Sequence, residues 1–261
     1  MKLSIISVNY NDAEGLERTI KSVISQTFHD YEFIIIDGGS TDGSVDVIKK
    51  YESYIDYWVS EPDGGIYPGM NKGLRQAKGE YLNFMNGGDS YHSSDVLETI
   101  FALGSDADII TGEHAENGLR NVGKDGVTML DLYKWAIDHQ ASFIKRGVAL
   151  RHPYDEKYRI VSDWKFFIEA LIFDNCTFYY TNIVVVDVDM KGISNTNYEL
   201  DKKERESVLR ELFPERVLQD YQLLASIHSE MLKVAPRISK SQKIQKAILK
   251  LAYQLLKIKG V

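Results

Sequence analysis

Ser60-Glu61-Pro62-Asp63-Gly64-Gly65-Ile66-Tyr67-Pro68-Gly69-Met70-Asn71-Lys72-Gly73 is followed closely by Gly79-Glu80-Tyr81-Leu82-Asn83-Phe84-Met85-Asn86-Gly87-Gly88-Asp89. A polar, Gly-rich loop leads into a short helical pattern, and then an apolar strand ends on an acid. In an open α/β sheet, ligands sit in a crevice outside the carboxyl ends of the strands, so this stretch predicts one wall of a ligand site. Working outward, Leu3 to Val8 is a short apolar run bounded by Asn and Asp, the pattern of a buried strand. Leu16, Ile20, Val23 and Ile24 recur at helical spacing and predict a helix over 13–27. Tyr31 to Ile36 is a second buried strand ending at Asp37, with Gly38 to Gly43 as its turn, and Val45 and Ile48 carry the next helix. Further strands are predicted at 57–59, 80–85, 108–111, 139–144 and 183–188, and helices at 66–77, 94–103 and 162–173. Residues 113–127 read as an exposed hairpin or loop. From about 199 the chain reads as helices, with breaks near Pro214 and Pro236. The alternation of β and α elements implies a parallel sheet with right-handed crossovers.

The 261 residues suffice for one large α/β domain with a helical appendage. A lone cysteine, Cys176, excludes an intramolecular disulfide and fits a reducing compartment. The first apolar run is shorter than the core of a secretory signal, and no run approaches the roughly 20 apolar residues of a membrane span. The expectation is a cytoplasmic protein. The net charge of -7 is unevenly spread: from residue 231 onward there are eight basic residues and no acid, which leaves 23 basic against 38 acidic residues before it. An acidic body excludes a nucleic-acid groove, which needs a basic face. In the tail, Ile244, Ile248, Leu251, Leu255 and Ile258 alternate in steps of four and three, with lysines on the other side. This predicts an amphipathic basic helix over 238–259. It either makes peripheral contact with an anionic membrane, at the inner face, or packs on the body or a second subunit.

Four segments together carry a family resemblance. They are Ser7-Val8-Asn9-Tyr10-Asn11, then Asp37-Gly38-Gly39-Ser40-Thr41-Asp42-Gly43-Ser44, the stretch from Ser60 to Asp89, and Tyr158-Arg159-Ile160-Val161-Ser162-Asp163-Trp164. With them the chain resembles the family-2 glycosyltransferases, and most of all bacterial members that build cell-surface polysaccharides. The resemblance covers about residues 1–195. It implies an α/β GT-A (Rossmann-like) fold, a mostly parallel sheet flanked by helices, over 1–195, and leaves 196–261 as a C-terminal helical extension.

The resemblance also implies a division of labour. Asp37 lies against the nucleoside with Ser7 and Asn9 nearby, and Asp63, Asn71 and Lys72 line the donor pocket. Asp89 holds Mn²⁺ or Mg²⁺, which stabilises a nucleoside diphosphate leaving group. Asn86 and Gly88 stand where other members often carry Asp. Asp163 is the catalytic base, and Lys165 stands where the family often has a second Asp. His139, Gln140 and Arg159 face the acceptor, and Met190-Lys191-Gly192-Ile193-Ser194 resembles the loop that closes over the site. One positioned carboxylate suffices for a single displacement, which inverts configuration. The expected activity is a metal-dependent, inverting transfer of a sugar from a nucleoside diphosphate, UDP, to a hydroxyl of a saccharide or lipid-linked saccharide acceptor. A non-catalytic nucleotide-sugar-binding partner of another transferase is the alternative. A sugar-phosphate nucleotidyltransferase is disfavoured, because Asn9-Tyr10-Asn11-Asp12 offers no Gly/Arg/Lys-rich loop.

Overall fold

The computed structural model describes residues 1–189, 197–227 and 242–258. The chain divides into two compact units, Met1–Leu212 and Phe213–Val261. The first begins with β1 (Leu3–Asn9), α1 (Ala13–Ile24), β2 (Tyr31–Asp37), α2 (Ser44–Lys50), β3 (Tyr57–Ser60), α3 (Ile66–Gln76), β4 (Tyr81–Phe84), β5 (Ser90–Tyr91) and α4 (Val96–Ala102). It continues with β6 (Ile109–Glu116), β7 (Leu119–Asn121), α5 (Met129–Lys134), β8 (Ser142–Lys145), α6 (Arg146–Arg151), α7 (Ser162–Ile168), β9 (Phe178–Asp187) and α8 (Tyr198–Leu212). The second unit carries α9 (Glu215–Ser226) and α10 (Gln242–Ile258). Residues 197–212, which the sequence groups with the helical extension, thus fall in the first unit.

The strands form one sheet in the order β3-β2-β1-β4-β8-β6-β9-β5, with β7 on β6. The first four, β3 to β4, are parallel. Here β1 and β2 are continuous apolar runs because helices cover both faces of the sheet. Leu3, Ile5, Phe33 and Ile35 pack with Leu16, Ile20 and Val23 of α1 in one buried cluster. Asp12 caps α1, its carboxylate accepting from the Gly15 N–H at 3.0 Å, a contact that stabilises a helix start by about 1 kcal/mol. On α3, a Cβ placed on Gly73 would meet Ile6 Cγ2 at 2.4 Å, so this helix sits tightly on β1 because residue 73 has no side chain.

The second half departs from the expected parallel sheet. β8 runs antiparallel to both β4 and β6, and β5 antiparallel to β9. The cause is local. β6 turns back into β7 through Asn117 and Gly118, both left-handed (φ 50° and 76°), the two-residue turn that matches strand twist in a hairpin. The expected strand 139–144 is shorter, Ser142–Lys145, which leaves His139 and Gln140 in the loop before it. The helix at Ser162 continues past Ile168 as a π-helical turn, Glu169–Phe173. Pro214 sits at the start of α9, where a break is expected. Pro236, and residues 238–241 and 259 of the expected basic helix, lie outside the described residues. No described helix is long and apolar enough to cross a membrane.

Candidate active site

Register brings three of the strand ends together: Asn9 pairs with Asp37, and Asp37 with Ser60. Residues 85–87 then run on beside β1, with the Met85 and Gly87 N–H groups donating to the Ile6 and Val8 carbonyls, each at 2.9 Å. Asp37 is fully enclosed. Its carboxylate accepts from Asn9 Nδ2 (2.9 Å), Ser40 Oγ (2.6 Å), the Ser40 N–H (2.9 Å) and Ser60 Oγ (2.6 Å). Burial pushes its pKa up, but the donors from Ser40, Ser60 and Asn9 outweigh it, and the carboxyl is held below its ordinary value. Four donors thus fix the Asp37 carboxylate in the floor of the crevice. Gly39 (φ +82°) lets the turn pass under the 61–63 segment, where a Cβ would meet Pro62 N at 2.9 Å.

The free acceptor at this end belongs to Asp63. Its Oδ1 accepts from the Gly65 N–H at 3.0 Å, whereas Oδ2 is buried without a partner. That oxygen lies 3.3 Å from where a Gly38 Cβ would stand, and the ring of Tyr10, 68% exposed, flanks the same spot. Asn9 Oδ1 is a second enclosed acceptor without a partner. Orphaned buried acceptors are rare enough to mark a place that a ligand or water completes. Two of the residues expected here are instead braces of the scaffold. Ser7 Oγ donates to the Met85 carbonyl at 2.6 Å. Asn71 is bonded to both the carbonyl (2.7 Å) and the N–H (2.9 Å) of Tyr154, and to Glu156. Lys72 is paired with Glu61 at 2.8 Å.

Asp89 lies at the end of the stretch that β4 begins and is 3% exposed. Its Oδ1 accepts from the Asp189 N–H at 2.9 Å. Burial pushes its pKa up to about 6, against that amide, the charge of His139 and the Gln140 side chain, which pull it down. α1 holds the loop in place: Thr19 Oγ1 donates to the Asp89 carbonyl at 2.6 Å, and the Gly88 N–H donates back to it at 3.0 Å. Arg18 bonds the Gly88 carbonyl (3.0 Å) and the Asp189 carboxylate (2.6 Å). Neither Arg18 nor Asp189 stands out in the sequence, because one is spaced like any exposed helical arginine and the other simply follows the last strand. Among the described residues no three His, Cys, Asp or Glu side chains group closely enough to cage a metal. The donor set suits a hard cation of the other kind, held by one or two carboxylates and completed by phosphates and water: an enclosed Asp89 with no ion-pair partner among the described residues, and Asp189 next to it.

Asp163 opens α7, where Tyr67 of α3 and His139 meet it. The Tyr67 hydroxyl lies 2.7 Å from Asp163 Oδ1 and 2.5 Å from the Ile160 carbonyl, and His139 Nδ1 lies 2.9 Å from Oδ2. Burial would raise the Asp163 pKa, but the hydrogen bond and charge of His139, then Tyr67, hold it below the ordinary value. Burial would lower His139, and Asp163 holds it up. The two therefore form an ion pair, with Asp163 still 17% exposed. A doubly protonated imidazole needs an acceptor at its other nitrogen as well. Asn86 is there, its Nδ2 3.0 Å from His139 Nε2 and its Oδ1 buried without a partner. Turning this amide over, an assignment the hydrogen-bond network decides, gives the His139 Nε2–H its acceptor. Asn86 thus serves the histidine where an Asp would serve a metal.

Behind Asp163, α8 supplies a support that the sequence hides. The buried carboxylate of Glu204 accepts from the backbone N–H groups of Arg159 and Ile160, the closest contact to each being 2.9 Å. Arg159 enters this site through its backbone, and its side chain is exposed. Lys165 pairs with Asp155 and Glu211, both at 2.7 Å, and ties α7 to α8. Met190 to Ser194, the expected closing loop, lie outside the described residues.

Comparison with known proteins bears on the family and the fold. The family model described as glycosyl transferase family 2 matches residues 4–140. A PGL/p-HBAD biosynthesis glycosyltransferase of Mycobacterium bovis is 31% identical over 209 residues, 74% of this chain and 79% of that one. The crystal structure of S. aureus TarS 1–349 in complex with UDP-GlcNAc superposes with a TM-score of 0.67 at 18% identity, covering 88% of this chain and 69% of that one. This chain spans 42% of the TarS chain in another crystal structure of that protein. A mannosyltransferase from Pyrobaculum calidifontis, in complex with GDP-Man and Mn²⁺, gives a TM-score of 0.61 at 14% identity, covering 97% and 85%. The two structural likenesses concern the GT-A fold.

Proposed function

The chain belongs to glycosyl transferase family 2, and on that footing we propose that it moves a sugar from UDP to a hydroxyl of a saccharide or lipid-linked saccharide, with inversion at the anomeric carbon. The observation that carries this reading is Asp163, an ionised, partly open carboxylate fixed by His139 and Tyr67. As the acceptor oxygen attacks the anomeric carbon and the bond to the UDP oxygen breaks, the acceptor proton passes to Asp163. Because this is one displacement, the configuration inverts. His139 and Tyr67 keep the carboxylate charged and oriented until then.

At the donor end, Asp63 Oδ2 accepts the N3–H of uracil and the base stacks on Tyr10. Asn9, Asp37, Ser40 and Ser60 keep the floor rigid, and Lys72 stands on the same side. Asp89, with Asp189 beside it, holds Mg²⁺ or Mn²⁺. Such a cation, when bound, neutralises the charge that gathers on the departing diphosphate. The UDP-GlcNAc complex of TarS supports a UDP donor, and the resemblance of the motifs to surface-polysaccharide transferases supports an acceptor in surface-glycan synthesis. His139 and Gln140 lie toward the acceptor.

Calorimetry with a panel of nucleotide sugars, with and without Mn²⁺, tests the donor assignment, and turnover on the same panel tests the reaction. Tight donor binding without turnover on any acceptor would favour the non-catalytic partner instead. We further propose that α10, with Lys243, Lys246 and Lys250 and no acid, contacts an anionic membrane. Co-sedimentation with phosphatidylglycerol vesicles, but not phosphatidylcholine vesicles, is the expected result; no difference between them contradicts it.

A further inference from the structure

Between the β6–β7 hairpin and residues 135–138 lies a cavity of about 380 Å³, within the range of pockets that hold small organic ligands. β6 reaches the end of β8 where Thr111 pairs with Ser142, and Glu113 and His114 lie beyond that point. On the opposite wall, Asp138 is joined directly to His139. The donor end at β1 is three strand positions away, about 14 Å at ~4.8 Å per strand. A molecule in the cavity therefore sits beside the base, on the side away from the nucleoside.

The walls select its chemistry. Trp135 is half-buried, and its indole N–H has no hydrogen-bond partner among the described residues. Ile137 and Phe178 add apolar surface. His114 is fixed between Asp138 Oδ2 (2.6 Å) and Asn121 Nδ2 (2.7 Å), so its ring and that carboxylate are held in place. The lining cation is neutralised, Lys124 by Asp131 at 2.7 Å, and the neighbouring Arg120 is paired with Glu113. A phosphate would find no unpaired cation here. A neutral polyhydroxylated ring would find a flat indole for its C–H face and fixed polar groups for its hydroxyls.

We propose that this cavity binds the acceptor sugar that carries or adjoins the attacking hydroxyl, with Trp135 as its platform and the Trp135 indole N–H and Asp138 Oδ1 as hydroxyl partners, while His114 holds the Asp138 carboxylate in place. The proposal rests on the transferase reading, so its test must fail separately from it. The full chain labelled with 5-fluorotryptophan gives three signals, from Trp58, Trp135 and Trp164, and Trp135→Phe assigns the one that matters. It is titrated with UDP and then with the methyl glycosides of glucose, galactose, mannose and N-acetylglucosamine. At least one glycoside should shift the Trp135 signal saturably, UDP alone should leave it in place, and Asp138→Ala should weaken that titration about tenfold, the worth of one hydrogen bond. A Trp135 signal that no glycoside moves, or that UDP alone moves equally, overturns the proposal. Calorimetric UDP binding, read on the same sample, reports on the transferase reading: UDP bound with a silent Trp135 overturns only the cavity.

Discussion

Tyr67→Phe removes one oxygen and keeps the ring, which is 3% exposed and packs against Tyr154 with centroids 5.4 Å apart. The lost hydroxyl stands between the Ile160 carbonyl and Asp163 Oδ1. A hydrogen bond to a charged group contributes about 1.5–3 kcal/mol. Taken from the ionised form of Asp163 alone, that loss raises its pKa by roughly 1–2 units, at 1.36 kcal/mol per unit. Because Asp163 is held below its ordinary value in the folded protein, its charge stabilises the fold at neutral pH, and that part is lost as pH falls through the folded pKa. The variant should therefore melt lower at pH 7, by about 2–4 °C per kcal/mol, with a smaller deficit in acid. The decisive assay is the pH dependence of kcat, whose acidic limb should move up by about 1–2 units. A variant that melts lower but keeps the wild-type limb would refute the reasoning, since Tyr67 would then brace Ile160 and nothing more.

Two residues at the donor end give shorter tests. Asp63→Asn keeps an acceptor for the Gly65 N–H but turns a donor toward uracil, so UDP affinity should fall about 10–100-fold by calorimetry; unchanged affinity would remove Asp63 from the nucleoside pocket. Because burial raises Asp89 to about 6, protons and divalent cations compete for it. Mn²⁺ affinity should climb with pH until about 6 and then level, and Asp89→Asn should abolish the dependence. The sign for stability follows: without cation the fold loses stability as pH rises from 3.8 through about 6, and Mn²⁺ should raise Tm more at pH 8 than at pH 5, with equal increments counting against the assignment.

Much of the donor half was legible because its signals are local. The apolar runs at Leu3–Val8 and Tyr31–Ile36, and the acids that follow such runs, depend only on burial and strand ends, and β1 and β2 fall there. The antiparallel half was harder. A single β-hairpin at Asn117-Gly118 reverses the chain, and four-residue strands such as β8 carry too few positions for a period. The partners of Asp163 were hidden for another reason. Tyr67 looks like any apolar-face aromatic on α3, and Glu204 like any acid on a polar helix, until the fold brings them 96 and 44 residues across the sequence to Asp163 and Ile160. The same long-range pairing engages Ser7 and Asn71, whose polar atoms meet backbone groups and, for Asn71, the Glu156 side chain as well.

Asp163→Asn tests the central claim most directly, with donor affinity measured by calorimetry and turnover and product anomer followed by NMR. The account predicts turnover lower by about 10²–10⁴, UDP-sugar affinity within about twofold of wild type, and a wild-type product of inverted configuration. Retained turnover in the variant, or a wild-type product of retained configuration, would contradict it.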